Sequence, residues 1–264
     1  MLRTLLTASR SPLQWAVQHR HLEIVRLLIR NDADLEHVSV LGWNPLFYCW
    51  PRMKPNNADN TELINLLAEH SILDVQMVDT MGWTALDRAA AFGTADEVQT
   101  LLKLGACPFS TRPPLGWNAM QHTVHFGNWS TFSSLMPMFG DGAVRMKDER
   151  GWTLLHIAAW SGCELIFRLL LSKGACPYTR SREFSSHMDE KLRGRALTPE
   201  EIAKERGPEN HGLFQQALED YGYDRGLVKE EETIFWDAQE YTTEHNPDAG
   251  TIADVVRSRH AIAT

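Results

Sequence analysis

Residues 151–162 read GWTLLHIAAWSG, and the Gly-Trp pair that opens this stretch recurs at three earlier points of the chain. The earlier segments are GWNPL from Gly42, GWTAL from Gly82 and GWNAM from Gly116. The four tryptophans lie 40, 34 and 35 residues apart, so a unit of about 33 residues repeats along the sequence. Such a period predicts a stack of small units, each packed on its neighbours, instead of one central core.

Every unit has the same internal order, which is clearest in residues 148–176, DERGWTLLHIAAWSGCELIFRLLLSKGAC. After the Gly-Trp pair come an Ala-rich apolar segment of about two helical turns, a glycine break and a second segment with leucines at helical spacing. Gly174 is expected to end the second helix, because a residue without Cβ adopts the left-handed cap conformation without strain. Each unit is therefore predicted to contain two helices joined by a turn.

This pattern resembles the ankyrin repeat, whose signature is a turn and two helices in about 33 residues with the motif T-P-L-H-x-A. The corresponding residues here are SPLQ, NPLF, TALD, NAMQ and TLLH, with LTPEE opening a degenerate sixth copy. The resemblance implies an all-α ankyrin-repeat solenoid with short β-hairpin fingers between the repeats. It also implies that His156, which alone keeps the histidine of the motif, hydrogen-bonds to backbone and orients the loops.

The array is predicted to cover residues 1–222, followed by an acidic carboxyl-terminal extension over 223–264 that could pack on it. The individual repeats are placed near residues 6–38, 39–78, 79–112, 113–147, 148–178 and 193–222, with a long inserted finger at 179–195. Residues 51–60 are expected to lengthen the loop inside the second repeat. Pro137 is expected to interrupt the second helix of the fourth repeat, because proline removes a backbone donor and collides with the preceding turn.

The negative charge of the chain is concentrated near its carboxyl end. Residues 219–248 hold ten acidic and two basic residues, a net charge of −8, which equals that of the whole chain. The repeats are therefore about neutral, which argues against nucleic acid or an anionic membrane as the partner, since both attract positive surfaces. A basic stretch within 180–195 leads to the hypothesis that the acidic extension packs on the long finger or along the repeats.

The repeated tryptophan stands at the base of each finger, and in the ankyrin family fingers and inner helices line a concave groove that binds partners. Tryptophan anchors interfaces because it offers a large rigid apolar surface with one N–H donor. The rings could instead simply pack on the neighbouring finger, and that alternative stays open for each ring. The predicted partner-binding residues are Trp43, Met81, Trp83, Phe92, Leu115, Trp117, His125, Phe126, Trp152 and Trp160.

The sequence thus predicts a non-catalytic module that binds a protein or peptide partner, with no cofactor, as a monomer or a segment of a larger chain. No P-loop, dinucleotide fingerprint or G-x-S-x-G motif is present. His122 and His125 can share a helical face, but a metal site needs a third ligand, so no metal is predicted. The four cysteines lack metal-ligand spacing, and we expect free thiols in a reducing compartment, the cytoplasm or nucleus.

Two other functions stay open at this stage. The protein could be an enzyme or a small-ligand-binding protein that uses a Trp-lined groove closed by the long finger and the extension. It could also be a self-inhibited scaffold whose acidic extension occupies the groove until a partner displaces it.

Overall fold

The computed structural model describes residues 10–51, 59–70, 74–183 and 189–223. These residues form eleven α-helices and two short 3₁₀ helices, and they contain no β-strand. The acidic extension from residue 224 onward lies outside the described residues, as do the middle of the loop in the second repeat and that of the long finger. The predictions made for those three segments therefore stay predictions.

The helices follow one another in pairs and form two layers. They are α1 (Pro12–Gln18), α2 (Leu22–Arg30), the 3₁₀ helix Pro45–Cys49, α3 (Thr61–His70), α4 (Ala85–Phe92), α5 (Ala95–Lys103), α6 (Ala119–His125), α7 (Trp129–Phe139), the 3₁₀ helix Asp141–Arg145, α8 (Leu154–Ser161), α9 (Glu164–Ser172), α10 (Pro199–Arg206) and α11 (Pro208–Asp220). In the inner layer α4, α6, α8 and α10 pack side by side, and in the outer layer α5 packs between α3 and α7 while α9 packs on α11. The molecule is a stack without a single centre.

The first helix of nearly every repeat begins with a capping box, which explains why the fourth position of the repeat motif varies. The side chain at that position reaches back to the backbone N–H of the N-cap residue, and the residues that do so are Gln14, Asp87, Gln121, His156 and Glu201. Two donors that the helix leaves unpaired are thereby satisfied together. The second repeat has Phe47 there, which cannot accept a hydrogen bond, and its first helix is the five-residue 3₁₀ helix.

The fingers are tight turns in the part of the chain that the structure describes, without the hairpin strands that the resemblance implied. The Asp79 N–H donates to the Trp83 carbonyl at 2.9 Å, and the same bond joins Asp148 to Trp152 at 2.9 Å. The glycine before each tryptophan makes the reversal possible, because its φ is positive, as at Gly82 (+81°), where a residue with a Cβ is strained. Antiparallel pairing in the described fingers is limited to two isolated bridges, Arg112 with Trp117 and Lys147 with Thr153.

The prediction for Pro137 is wrong, because α7 runs without interruption from Trp129 to Phe139. Pro137 lies in the last turn of that helix and lacks the N–H that would donate to the Ser133 carbonyl, so α7 loses one hydrogen bond there without ending. The buried side chains Phe132, Leu135 and Phe139 also hold α7 on the core on both sides of the proline. Packing therefore outweighs the local preference of proline at this site.

Candidate functional site

The four finger-base tryptophans, which we call the Trp row (Trp43, Trp83, Trp117 and Trp152), are linked by side chains that lie between successive rings. The Arg88 guanidinium carbon lies 4.1 Å from the centre of the Trp43 ring and 5.7 Å from that of Trp83. The His122 ring centre lies 4.2 Å from that of Trp83 and 5.4 Å from that of Trp117. Arg150 completes the row, 5.4 Å from the Trp117 ring centre and 3.9 Å from that of Trp152. Much of the Trp row therefore packs between repeats.

A buried carboxylate fixes the edge of the Trp43 ring where the second repeat meets the third. The Trp43 indole Nε1–H donates to Asp79 Oδ2 at 3.2 Å, and Arg88 donates to the same oxygen. The other oxygen of Asp79 accepts the backbone N–H groups of Met81 at 2.8 Å and Trp83 at 3.0 Å. Burial lowers the pKa of Arg88, and the ion pair with Asp79 opposes that shift. This carboxylate thus organises one finger and holds the ring of the preceding one.

The same arrangement recurs where the fourth repeat meets the fifth. The Trp117 Nε1–H donates to Asp148 Oδ2 at 2.9 Å, and Arg150 donates to that oxygen from Nε at 2.9 Å and from Nη2 at 2.7 Å. Asp148 Oδ1 accepts the backbone N–H groups of Arg150 and Trp152, both at 2.9 Å. Neither carboxylate oxygen of Asp148 is exposed to solvent, because this side chain is fully buried. Hydrogen bonds to charged groups are roughly twice as strong as neutral ones.

The junction between the third and fourth repeats lacks this carboxylate. Arg112 occupies the equivalent backbone position, because its N–H donates to the Trp117 carbonyl at 2.9 Å, as the N–H of Asp79 does to Trp83. Within the described residues no side chain accepts a hydrogen bond from Trp83 Nε1. Arg112 Nε is also buried there without an acceptor. The Trp83 indole N–H at this junction therefore lacks the carboxylate acceptor that the other two junctions provide.

Aromatic side chains gather around Trp83. Its ring centre lies 5.8 Å from that of Phe126 and 6.0 Å from that of Phe92, and the latter two are 4.7 Å apart. His125 lies 4.8 Å from Phe126 in an edge-on arrangement. Phe92 is buried, whereas Trp83, His125 and Phe126 are half-buried and present part of their surface to solvent.

The fingertips of the same repeats add apolar surface. Met81 is 54% exposed, and Leu115 on the next finger is half-buried. We call Met81, Trp83, Leu115, His125 and Phe126 together the aromatic patch. The neighbouring second finger is also apolar, with Val40 66% exposed. Clusters of exposed apolar groups mark interaction sites more often than single exposed residues do.

The histidines of the patch are neutral at physiological pH. Burial lowers the pKa of His122 to about 3, assisted by the charge of Arg88. Burial lowers the pKa of His125 to about 4, with further contributions from His122 and two arginines. Burial raises the pKa of Asp87 to about 6, while its hydrogen bonds with Thr84 and the charge of Arg112 oppose the rise. The two imidazoles thus add no charge to the aromatic surface, and the cations that act on this region are arginines: Arg88 on His122, Arg150 and Arg206 on His125, and Arg112 on Asp87.

His156 plays the structural role that the resemblance implied. Its Nδ1 accepts the Thr153 N–H at 3.1 Å, so the proton lies on Nε2, which donates to the Leu197 carbonyl at 3.1 Å. Burial lowers the pKa of this imidazole to about 3. The ring thereby caps α8 and fixes the chain that leads into α10.

A second buried carboxylate closes the loop of the second repeat. Glu97 accepts the Trp50 Nε1–H at 2.9 Å and the Asn60 N–H at 2.6 Å, so one side chain holds both ends of that loop. It also accepts the Thr94 N–H at 2.9 Å as part of a capping box. Burial raises the pKa of Glu97, and these hydrogen bonds oppose the rise.

The predicted binding residues divide into three groups by exposure. Met81 is exposed, and the half-buried ones are Trp43, Trp83, Leu115, His125, Phe126 and Trp160. Phe92, Trp117 and Trp152 are buried, because neighbouring fingers and inner helices cover them, and they offer a partner almost no surface in this conformation. The structure brings Trp83, Phe126 and His125 together, whereas Trp160 lies apart from them beside Arg206, 5.4 Å from its guanidinium.

The two aspartates that hold the rings were not predicted from the sequence. Asp79 and Asp148 are both buried, and neither was singled out there. A signal was available, since DTMGW and DERGW both place Asp four residues before the tryptophan. Arg112 had no such signal, because its finger is one residue longer and counting back four from Trp117 reaches Pro113.

The geometry defines a class of protein, a solenoid of two-helix repeats, and family comparisons agree with it. The model "Ankyrin repeats (3 copies)" matches residues 92–181, and the model "Ankyrin repeat" matches residues 9–39. The chain is an ankyrin-repeat protein, and the predicted all-α solenoid is confirmed.

Two human proteins are similar in sequence. Transient receptor potential cation channel subfamily A member 1 is 25% identical over 175 residues, which are 62% of this chain and 15% of the channel. Protein phosphatase 1 regulatory subunit 27 is 32% identical over 83 residues, 31% of this chain and 53% of that protein. The chain therefore spans from about one seventh to about half the length of these relatives.

Solved structures share the fold at low sequence identity. The ankyrin repeat domain of human ASB11 has a TM-score of 0.62 at 20% identity, covering 84% of this chain and 88% of that domain. A chain from the complex of the Bd0816 predatory endopeptidase of Bdellovibrio bacteriovorus with immunity protein Bd3460 has a TM-score of 0.59 at 19% identity, covering 79% of this chain and 98% of that chain. Ankyrin repeats are generally non-catalytic modules of protein–protein interaction. Among the described helices, none has the length and apolar character to cross a bilayer.

Proposed function

We propose that the protein binds a protein partner through the aromatic patch on the third and fourth repeats. The observation that carries this proposal is the partial exposure of Trp83 and Phe126, whose rings rest on buried Phe92 and His122. Such rings are held in place before a partner arrives, so binding costs little side-chain entropy. Large preorganised aromatic side chains are the usual hot spots of interfaces.

The character of the patch fits an apolar anchor from the partner. His122 and His125 carry no charge at neutral pH, because burial lowers both pKa values to about 3 and about 4. A leucine or phenylalanine side chain could therefore cover Trp83 and Phe126 without desolvating an ion. The fingertip Met81 offers a flexible thioether that adapts to the shape of the anchor.

A pair of charge insertions tests this proposal. Met81→Asp places a carboxylate in the patch, and Leu27→Asp makes the same change on α2 at a side chain with similar exposure, 59% against 54%. Both variants should keep the wild-type Tm within about 2 °C, because neither side chain is buried. The proteins captured by the wild type from a cell extract should be lost with Met81→Asp and retained with Leu27→Asp.

The proposal fails if both variants capture the same proteins as the wild type at equal yield. Phe126→Ser serves as a second test, since it removes one ring of the patch without adding charge. A captured protein that survives both Met81→Asp and Phe126→Ser binds elsewhere on the array.

A further inference from the structure

The inference starts from the comparison of three equivalent junctions. In two of them an aspartate, Asp79 or Asp148, receives the indole N–H of the preceding tryptophan together with an arginine. In the junction between them, Arg112 takes the place of the aspartate in the backbone pattern. The tryptophan and the cation are present there, and the carboxylate between them is missing.

Two donors are left over at this junction. Trp83 Nε1 has no acceptor among the described residues, and Arg112 Nε is buried and without one. The Arg112 guanidinium has a single hydrogen bond in this part of the chain, from Nη1 to the Thr111 carbonyl at 3.3 Å. A buried N–H without an acceptor costs about 1–3 kcal/mol, so an acceptor supplied from outside is favoured.

No described carboxylate takes the place of Asp79 and Asp148 at this junction. The charge of Arg112 acts on the Asp87 carboxyl of the inner layer, but Oδ2 of this carboxyl is already bonded to the Thr84 N–H and hydroxyl, each at 2.8 Å. Its Oδ1 lies 3.9 Å from His122 Nε2. No described carboxylate forms an ion pair with Arg112.

We infer that the partner supplies a carboxylate to Trp83 Nε1 and the Arg112 guanidinium, in the place that Asp79 and Asp148 take at the neighbouring junctions. The carboxylate belongs to an aspartate or glutamate next to a bulky apolar residue, because Trp83 is itself part of the aromatic patch. A carboxylate suits both groups, since each of its oxygens accepts more than one hydrogen bond and it balances the arginine charge. This inference rests on the proposed function and names the chemistry of the partner.

A peptide pair tests the inference on the full chain. The probes are acetyl-Leu-Phe-Asp-amide and acetyl-Leu-Phe-Asn-amide. The readouts are the binding affinity from isothermal titration calorimetry in every variant and, where Trp83 is present, its indole N–H resonance in a ¹⁵N-labelled protein. The aspartate probe should move this resonance and bind roughly tenfold more tightly than the asparagine probe, the margin of a partly exposed charge-assisted hydrogen bond. Added salt should reduce the margin.

Substitutions identify which side chains cause the preference for the aspartate probe. Arg112→Gln and Trp83→Phe should each bring the two probes to equal affinity, while Arg145→Gln, which changes an exposed arginine of the 3₁₀ helix Asp141–Arg145, should keep the roughly tenfold margin. Trp83→Phe retains the ring and removes the donor, so it keeps the test valid if Arg112→Gln reduces stability.

The outcomes separate the inference from the proposed function. Equal binding of both probes at Trp83 overturns the carboxylate and leaves the patch as an apolar docking site. An aspartate preference that survives both Arg112→Gln and Trp83→Phe places the carboxylate elsewhere and also overturns the inference. If neither probe shifts the Trp83 indole resonance, the inference is overturned. If Met81→Asp also captures the same proteins as the wild type, the proposed function is overturned as well.

Discussion

Asp148→Ala should lower the free energy of unfolding of the array more than the substitution of any exposed acidic residue does. The substitution removes an acceptor of five hydrogen bonds and leaves the Arg150 guanidinium buried without its counter-ion. Breaking a buried ion pair from one side costs about 3–5 kcal/mol. For a chain of this size that loss lowers the Tm by roughly 10 °C. Urea unfolding followed by circular dichroism at pH 7 measures it directly.

Asp141→Ala is the matched control, because Asp141 is almost fully exposed and lies 3.9 Å from Lys173. Such a pair is worth about 0–1 kcal/mol, so the control should unfold close to the wild type. The double substitution Asp148→Ala with Arg150→Ala should cost less than the sum of the single changes, because the buried charge is removed with its partner. An Asp148→Ala variant within 1 kcal/mol of the wild type would refute the role given to this carboxylate.

Three further predictions address other parts of the array. The folded-state pKa of His156 lies below its unfolded value, so its contribution to stability is present above pH 6.5 and lost as pH falls toward 3. The shift corresponds to about 5 kcal/mol, and His156→Gln should lose less stability than the wild type between pH 7 and pH 4 in urea titrations. Trp83→Phe should leave the Tm nearly unchanged. Trp117→Phe should lower the free energy of unfolding by about 1–2 kcal/mol, because it removes one of the hydrogen bonds that the buried Asp148 carboxylate accepts, and equal losses would contradict this difference. Gly93→Ala should destabilise the protein, since its Cβ would lie 2.2 Å from a buried carboxylate oxygen. Gly212→Ala, on an open helix face, should instead stabilise the protein by about 0.5–1 kcal/mol, and thermal melts of the two variants measure both effects.

The fold follows from features that the sequence displays locally. The Gly-Trp pair opens four of the six copies, two helical segments alternate along the array, and five copies carry an acceptor at the fourth motif position. The exception in the second repeat is also local, because Phe47 cannot complete a capping box and the helix shortens to a 3₁₀ turn. Pro137 shows the limit of such rules, since buried neighbours decide the course of α7.

The site was less predictable, because exposure depends on which residue of the next repeat covers each ring. Trp43, Trp83, Trp117 and Trp152 have the same local sequence context, yet Trp152 is buried and Trp83 is half-buried. The difference depends on pairings across the repeats, such as Arg150 of the fifth repeat against Trp117 of the fourth, that no single repeat encodes. Aligning the fingers would have revealed the two aspartates, but the extra residue in the fourth finger hides Arg112.

The hydrogen bonds from Trp50 and Asn60 to Glu97 make the loop of the second repeat a suitable site for insertions. Both ends of its loop, Trp50 and Asn60, are bonded to one carboxylate of the third repeat, so the spacing of the loop ends does not depend on the segment between them. Closing a longer loop costs little entropy, about 0.6 kcal/mol for each doubling of length. A reporter peptide or a small domain whose termini lie close together could therefore be grafted between these two residues while the register of the stack is preserved.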